Sequence, residues 1–301
     1  AANEVFSFKT YPSNFSNKFI RNRMSGEIIS RYYIAEPLEH LLYFEDVENF
    51  GDLPVSIQQY LLENKDFLEN RAEIRRNNGS KWWSYTFPLH KEYYQYDKIW
   101  CSYRAKDNAF VYDDTKNFIG LTNTTAIFGN NSNYNLKYIL ALLNSQLLNF
   151  WHKSNAKQTG NGVFEYVPNV IEKIPIPDIS KEQQQPLSQK AEEMIELNKK
   201  LHEESQNALE LIELEYKPKK LTQKLENFYT LGLNPFLDEL QKQGAKLSLS
   251  KKEELIAWYK EKSNLLNCIK TQIQNLDNEI DKEVYELYGM TDEEIKIIES
   301  S

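Results

Sequence analysis

The sequence predicts an α+β protein, in which a mixed α/β domain over residues 1–178 is followed by an all-α, long-helix region over residues 179–301. Three observations carry this prediction. Short aromatic and β-branched runs bounded by Asp, Asn or Gly fill the first part, the pattern of strands between turns. Apolar residues at four-three spacing on a charged background fill the second, the pattern of long helices. The composition also breaks near residue 180. All seven arginines lie between Arg21 and Arg104, and 31 of the 39 aromatic residues precede residue 181.

In the first region HLLYF (His40–Phe44), DKIWCSY (Asp97–Tyr103), AFVY (Ala109–Tyr112) and TTAIF (Thr124–Phe128) read as strands. Two helices interrupt them. Pro54 opens one, with Ile57, Tyr60, Leu61, Phe67 and Leu68 on its buried face; the other carries Leu136, Ile139, Leu140, Leu143, Leu147 and Trp151. The segment IEKIPIPD stops both ladder and helix at Pro175 and Pro177, which places the domain boundary near Asp178. Beyond it, Leu187, Ala191, Met194, Leu201, Ala208 and Ile212 mark one helix, interrupted by Asn198 and Ser205. A second carries Leu266, Ile269, Ile273, Leu276, Ile280, Val284 and Leu287 and ends at Gly289, a suitable left-handed terminator. From Leu255 to Tyr288 that helix would span about 50 Å, which suits an antiparallel coiled stem closed by residues 217–250.

Composition limits the function. The chain of 301 residues carries a net charge of −8, but the imbalance belongs to the second region, where 17 Lys face 24 acids. The first is nearly neutral, with 19 Lys and Arg against 20 acids, and combines arginine with aromatic and amide side chains, a mixture suited to reading bases and gripping phosphate. No apolar run reaches the roughly 20 residues of a membrane span. The chain starts at Ala1 without a secretory leader, so it reads as part of a longer, cytoplasmic protein. Cys101 and Cys268 lie far apart and lack partners at metal-ligand spacing.

Catalytic patterns are sparse. His40, His90, His152 and His202 are dispersed, and His40 in its apolar run reads as a hydrogen-bonded core residue. No nucleophile elbow, P-loop or dinucleotide fingerprint occurs. Asp178 followed by Glu215 and Lys217 is a loose match to the acid–acid–lysine set of Mg2+-dependent nucleases, with one carboxylate in a linker and the other on a helix.

Three polar segments are the candidate DNA contacts. The first contains Arg75, Arg76, Asn77, Asn78 and Lys81 around Gly79; the second Arg104, Lys106 and Asn108; the third Asn155, Lys157, Gln158 and Asn161. Arg and Asn can pair bidentately with guanine and adenine edges, and Lys can contact phosphate. Asn, Gly and Lys are also ordinary turn residues.

Ordered landmarks along nearly the whole chain resemble the C-terminal target-recognition region of TaqI-type adenine-N6 DNA methyltransferases, and more closely that of fused type IIG restriction–modification enzymes. These are NEVFSF (Asn3–Phe8), GEIISRYY (Gly26–Tyr33, with Glu27 at the family's Asp position), the helix ending at Arg71, WWSY (Trp82–Tyr85), DKIW (Asp97–Trp100), TNTTAIF, LLNSQLLNFWHK (Leu142–Lys153) and IEKIPIP (Ile171–Pro177). The second region resembles the helical tail of the type IIG group, particularly LDELQKQGAKLSL and DNEIDKEVYELYGMTDEEIKIIE. The resemblance implies a partner of double-stranded DNA and an upstream methyltransferase domain in the same parent chain. That domain would use S-adenosylmethionine, with Mg2+ where the parent also cuts DNA. It implies no cofactor within this chain, because the motif that receives a flipped adenine is absent from it. Two alternatives remain at this stage, a self-sufficient Mg2+-dependent nuclease and a protein-binding assembly module like the spacer of a specificity subunit.

Overall fold

A computed structural model describes residues 3–44, 47–76, 81–86, 91–129 and 133–300. It shows an α+β chain with a mixed α/β region followed by long helices. The chain divides into two compact units, residues 1–188 with 296–301, and residues 189–295. This division falls within the helix Lys181–Tyr216, past the expected boundary at Asp178. The reason is local. Gln184, Leu187 and Ser188 on the first turns are buried, and Gln184 accepts a hydrogen bond from Asn135 N (2.8 Å) while donating to Asn133 O (3.2 Å).

Among the described residues, twelve short strands build the first unit: β1 (Ser7–Phe8), β2 (Ile20–Met24), β3 (Ile29–Ser30), β4 (Tyr33–Ile34), β5 (His40–Leu42), β6 (Lys98–Ser102), β7 (Arg104–Ala105), β8 (Phe110–Asp113), β9 (Phe118–Gly120), β10 (Thr124–Phe128), β11 (Gln158–Gly160) and β12 (Val163–Glu165). They form sheets ordered β1-β5-β2-β9, β10-β6-β8 and β11-β12-β7, plus the pair β3-β4; β2 and β9 pair in parallel, and the other pairings among the described residues are antiparallel. The expected strands correspond to β5, β6, β8 and β10.

One core gathers Phe6, Phe15, Phe19, Leu42, Phe44 and Trp83 around Ile57, Leu61 and Leu68, all buried. The helix opened by Pro54 contributes those last three but breaks at Asn64 into Val55–Glu63 and Lys65–Glu69, which turns Phe67 outward and leaves it 41% exposed. The helix expected to run on to Trp151 also breaks. Ser145 ends Leu136–Asn144 and caps Gln146–Asn155, its hydroxyl accepting from Leu148 N (3.3 Å). Leu136–Asn144 covers β6 and β8 and is buried almost throughout. Within this sheet the buried Lys98 ammonium lies 3.8 Å from Asp113, whose carboxylate also accepts from Trp100 Nε1 (3.1 Å) and the Thr115 hydroxyl (2.7 Å). A charge pair inside a protein persists when both members are satisfied in this way.

The second unit is helical. Lys190 pairs with Glu279 and Glu283, and Lys262 with Glu204 (3.0 Å), so Lys181–Tyr216 and Leu249–Tyr288 run antiparallel here. Leu266, Ile269, Leu276, Ile280 and Val284 are buried as expected, whereas Ile273 is only half-buried. Residues 217–248 do more than close the stem. Their Phe228 stacks on Trp258 (5.5 Å) and Phe236 on Tyr259 (4.9 Å), forming an aromatic core with Leu225 and Leu240. Gly289 ends the long helix in the left-handed conformation (φ 66°), and Met290 N donates to Tyr285 O (2.9 Å). Among the described residues no helix is long and apolar enough to cross a membrane.

Candidate nucleic-acid interface

The second and third polar segments meet on the sheet β11-β12-β7. In register, Glu165 on β12 faces Arg104 on β7, and Phe164 faces Ala105 on β7 and Gln158 on β11. The Glu165 carboxylate is shared by two cations far apart in sequence, Arg104 (3.0 Å) and Lys157 (3.8 Å). Arg104 also lies over the Tyr103 ring (5.6 Å to its centroid). Glu165 is nearly buried, whereas Arg104 and Lys157 remain largely exposed, so the carboxylate orients both cations without removing them from solvent. Beside them Lys153 pairs with Asp107 at 2.8 Å. The hydrogen bonds from Lys153 and Asn149 hold the Asp107 carboxyl below the usual carboxylate range.

Edge strand β11 is exposed at all three positions. Its turn continues through Gly160 (φ 118°), Asn161 (φ 51°) and Gly162 (φ 73°), three consecutive residues in conformations that glycine adopts freely and Asn tolerates. A Cβ at either glycine would meet nothing within 4 Å, so the turn projects freely.

Placement sorts the expected contacts. Arg104, Lys106, Asn155, Lys157, Gln158 and Asn161 are exposed, although Asn155 donates back to Trp151 O (2.7 Å). Asn108 is a correction. It is 3% exposed, donates to Leu143 O (2.6 Å) and accepts from the Tyr166 hydroxyl (3.0 Å), so its amide holds the domain interior together and is closed to a base edge. Arg75 and Arg76 are exposed on the short helix Ala72–Arg76 and not in an extended loop, with Arg75 bonded to Asn70 Oδ1. The helix starts there because Arg75 N finds Arg71 O (3.0 Å). Lys81 is exposed with φ 51°, while Asn77 and Asn78 lie outside the described residues.

Composition did not single out Glu165, because a carboxylate reads as repelling DNA; its signal was its place in VFEY opposite the arginine segment. Nor did it single out Glu27 and Asn123. Both line a cleft of about 580 Å3 with Gly26, Ser102, Tyr103, Arg104 and Thr122. Asp178 precedes the helix Lys181–Tyr216 and belongs to the first unit, whereas Glu215, in the last turn of that helix, belongs to the second. Among the described residues no three His, Cys, Asp or Glu side chains are placed to hold a metal ion. Cys101 is buried, and desolvation pushes its thiol pKa up, which leaves it a poor nucleophile.

An exposed polar ribbon thus rises on an α+β scaffold, with Arg104 and Lys157 paired to one carboxylate. Residues 23–176 match the TaqI-like C-terminal specificity domain. The chain belongs to this family and is a DNA target-recognition module of restriction–modification enzymes. Residues 180–284 match a domain of unknown function (DUF8810). A comparison with curated proteins gave no match.

Proposed function

We propose that this chain is the specificity region of a type IIG enzyme, whose upstream domain methylates adenine with S-adenosylmethionine, with Mg2+-dependent cutting where the parent also carries a nuclease domain. The chain itself supplies recognition and takes no cofactor. Its first unit reads duplex DNA, and its antiparallel helices set the spacing or docking of that unit against the methyltransferase domain of the same parent. The observation that supports this reading best is the convergence of Arg104 and Lys157, more than fifty residues apart in sequence, on Glu165 beside an exposed ribbon. Such an arrangement offers Arg donors to base edges and Lys charge to phosphates from one surface.

Selection from a randomised duplex pool with the full chain tests it. A short enriched site, bound with an affinity that falls as salt rises, is expected. A folded chain that enriches nothing would sink the reading. Methyl transfer or Mg2+-dependent cleavage by the chain alone would show that the chemistry had been misplaced.

A further inference from the structure

Three connections meet beside Arg104: the turn Gly26–Ile28, the β6–β7 corner at Ser102–Arg104, and the β9–β10 turn at Thr122–Asn123. They line an open cleft of about 580 Å3. The close approach is enforced at Gly26, where a Cβ would lie 2.3 Å from Ser102 Oγ, and at Tyr103, whose N–H donates to Asn123 O (3.0 Å). Two acceptors without donor ability, Glu27 and Asn123 Oδ1, line the cleft beside the hydroxyl-bearing Ser102, Tyr103 and Thr122. Glu27 is an exposed carboxylate, and Asn123 Oδ1 is buried with no hydrogen-bond partner. A buried acceptor left unmatched in a folded protein requires an explanation, and a donor arriving with a ligand supplies one. A cationic donor on the same wall is Arg104, its guanidinium held over Tyr103 and tied to Glu165.

We infer that this cleft reads the major-groove edge of a base carrying an exocyclic amino group, adenine or cytosine, with Glu27 and Asn123 accepting from the amino group. This rests on the DNA-reading function proposed above and assigns one position of the recognised site. The choice follows from hydrogen-bond polarity. Adenine N6 and cytosine N4 are donors, whereas guanine O6 and thymine O4 would place an acceptor against a carboxylate. With adenine, the neighbouring N7 accepts from Arg104, so donor and acceptor on the wall meet acceptor and donor on the base; with cytosine only the amino contact forms.

The test uses the full chain and the duplex it enriches. At each adenine or cytosine of that site, the base is replaced by the analogue lacking its amino group. Wild type is expected to lose about tenfold in affinity at one such position beyond the general loss, the size of one base-edge contact. Glu27→Ala and Asn123→Ser are each expected to abolish that sensitivity and to relax selection at that position alone. Glu27 is exposed, so its variant folds, and an unchanged thermal midpoint checks this. If both folded variants keep the wild-type penalty at every amino position, the cleft is not a base reader, although the enriched site still supports DNA recognition. If wild type enriches no site, DNA reading and the cleft assignment fall together.

Discussion

Arg71 and Arg104 both sit in segments rich in Asn, Lys and aromatic residues, yet the fold uses them in opposite ways. Arg71 is 9% exposed and donates through Nε to Leu68 O (2.9 Å) and through Nη2 to Trp82 O and Ser84 O (2.8 Å), with its guanidinium over Phe6 (5.6 Å). Burial lowers its pKa, but its partners are fixed carbonyls of the backbone. Arg104 is tied to a carboxylate at the surface, and more than half of its side chain is open to solvent. An arginine spent on main-chain carbonyls fixes the fold, whereas one steered by a carboxylate keeps donors for a ligand. The partner of the cation, more than its neighbours in sequence, decides which part it plays.

The largest expected effect tests the Arg71 side. Arg71→Met should lower unfolding stability by at least about 3 kcal/mol, since three carbonyls lose their donor, and denaturant titration measures this. A loss below about 1 kcal/mol would mean that the carbonyls find water.

Acid provides the next effect. His152 is fully buried, stacked on Tyr166 (3.9 Å), and desolvation lowers its pKa to about 4. Its ring is neutral when folded and takes up a proton more readily when unfolded. Its contribution to stability is therefore complete above the ordinary His pKa of about 6.5 and is lost as pH falls toward 4, a change of roughly 3 kcal/mol. His152→Phe should flatten that part of the stability–pH curve; an unchanged slope would assign the acid sensitivity elsewhere. Because Tyr166 also bonds Asn108, this test separates the interior under the ribbon from the ribbon itself.

On the Arg104 side the effect moves from stability to binding. Arg104→Ala should leave the thermal midpoint nearly unchanged while weakening the preferred site by about tenfold relative to random duplex. Equal loss on both DNAs would make Arg104 a phosphate contact. Smaller still, Lys106→Ala should lower the slope of log affinity against log salt by about one and leave site preference intact.

The fold was legible where side-chain pattern decides structure. The strands at His40, Lys98, Phe110 and Thr124 and the helix ending at Gly289 follow from β-branched and aromatic runs, apolar spacing and a left-handed terminator. Helix breaks at Asn64 and Ser145 were hidden, because apolar periodicity continues across them and only capping by Ser145 records the second. The site was half legible. Arg104 and Lys157 stood out by residue type, but their convergence on Glu165 is set by pairing between strands sixty residues apart, which no local pattern encodes. Asn108 shows the converse. Its sequence context matches a reader's, and only tertiary packing reveals an Asn satisfied by Leu143 and Tyr166.

The ribbon tip has an evolutionary consequence. Gln158, Thr159, Gly160 and Asn161 are exposed, and the register between β11 and β12 already slips at Gln158/Gly160. Exchange or insertion of residues there leaves the buried layers under the sheet untouched, since surface substitutions rarely shift stability by more than about 0.5 kcal/mol. Glu165 and Tyr166, only a few positions away, have no such freedom, because one anchors two cations and the other is locked to Asn108 and His152. Residues at the tip can therefore change with the anchor residues intact and without a compensating change in the scaffold, which would let a recognition surface of the kind proposed here diverge by drift.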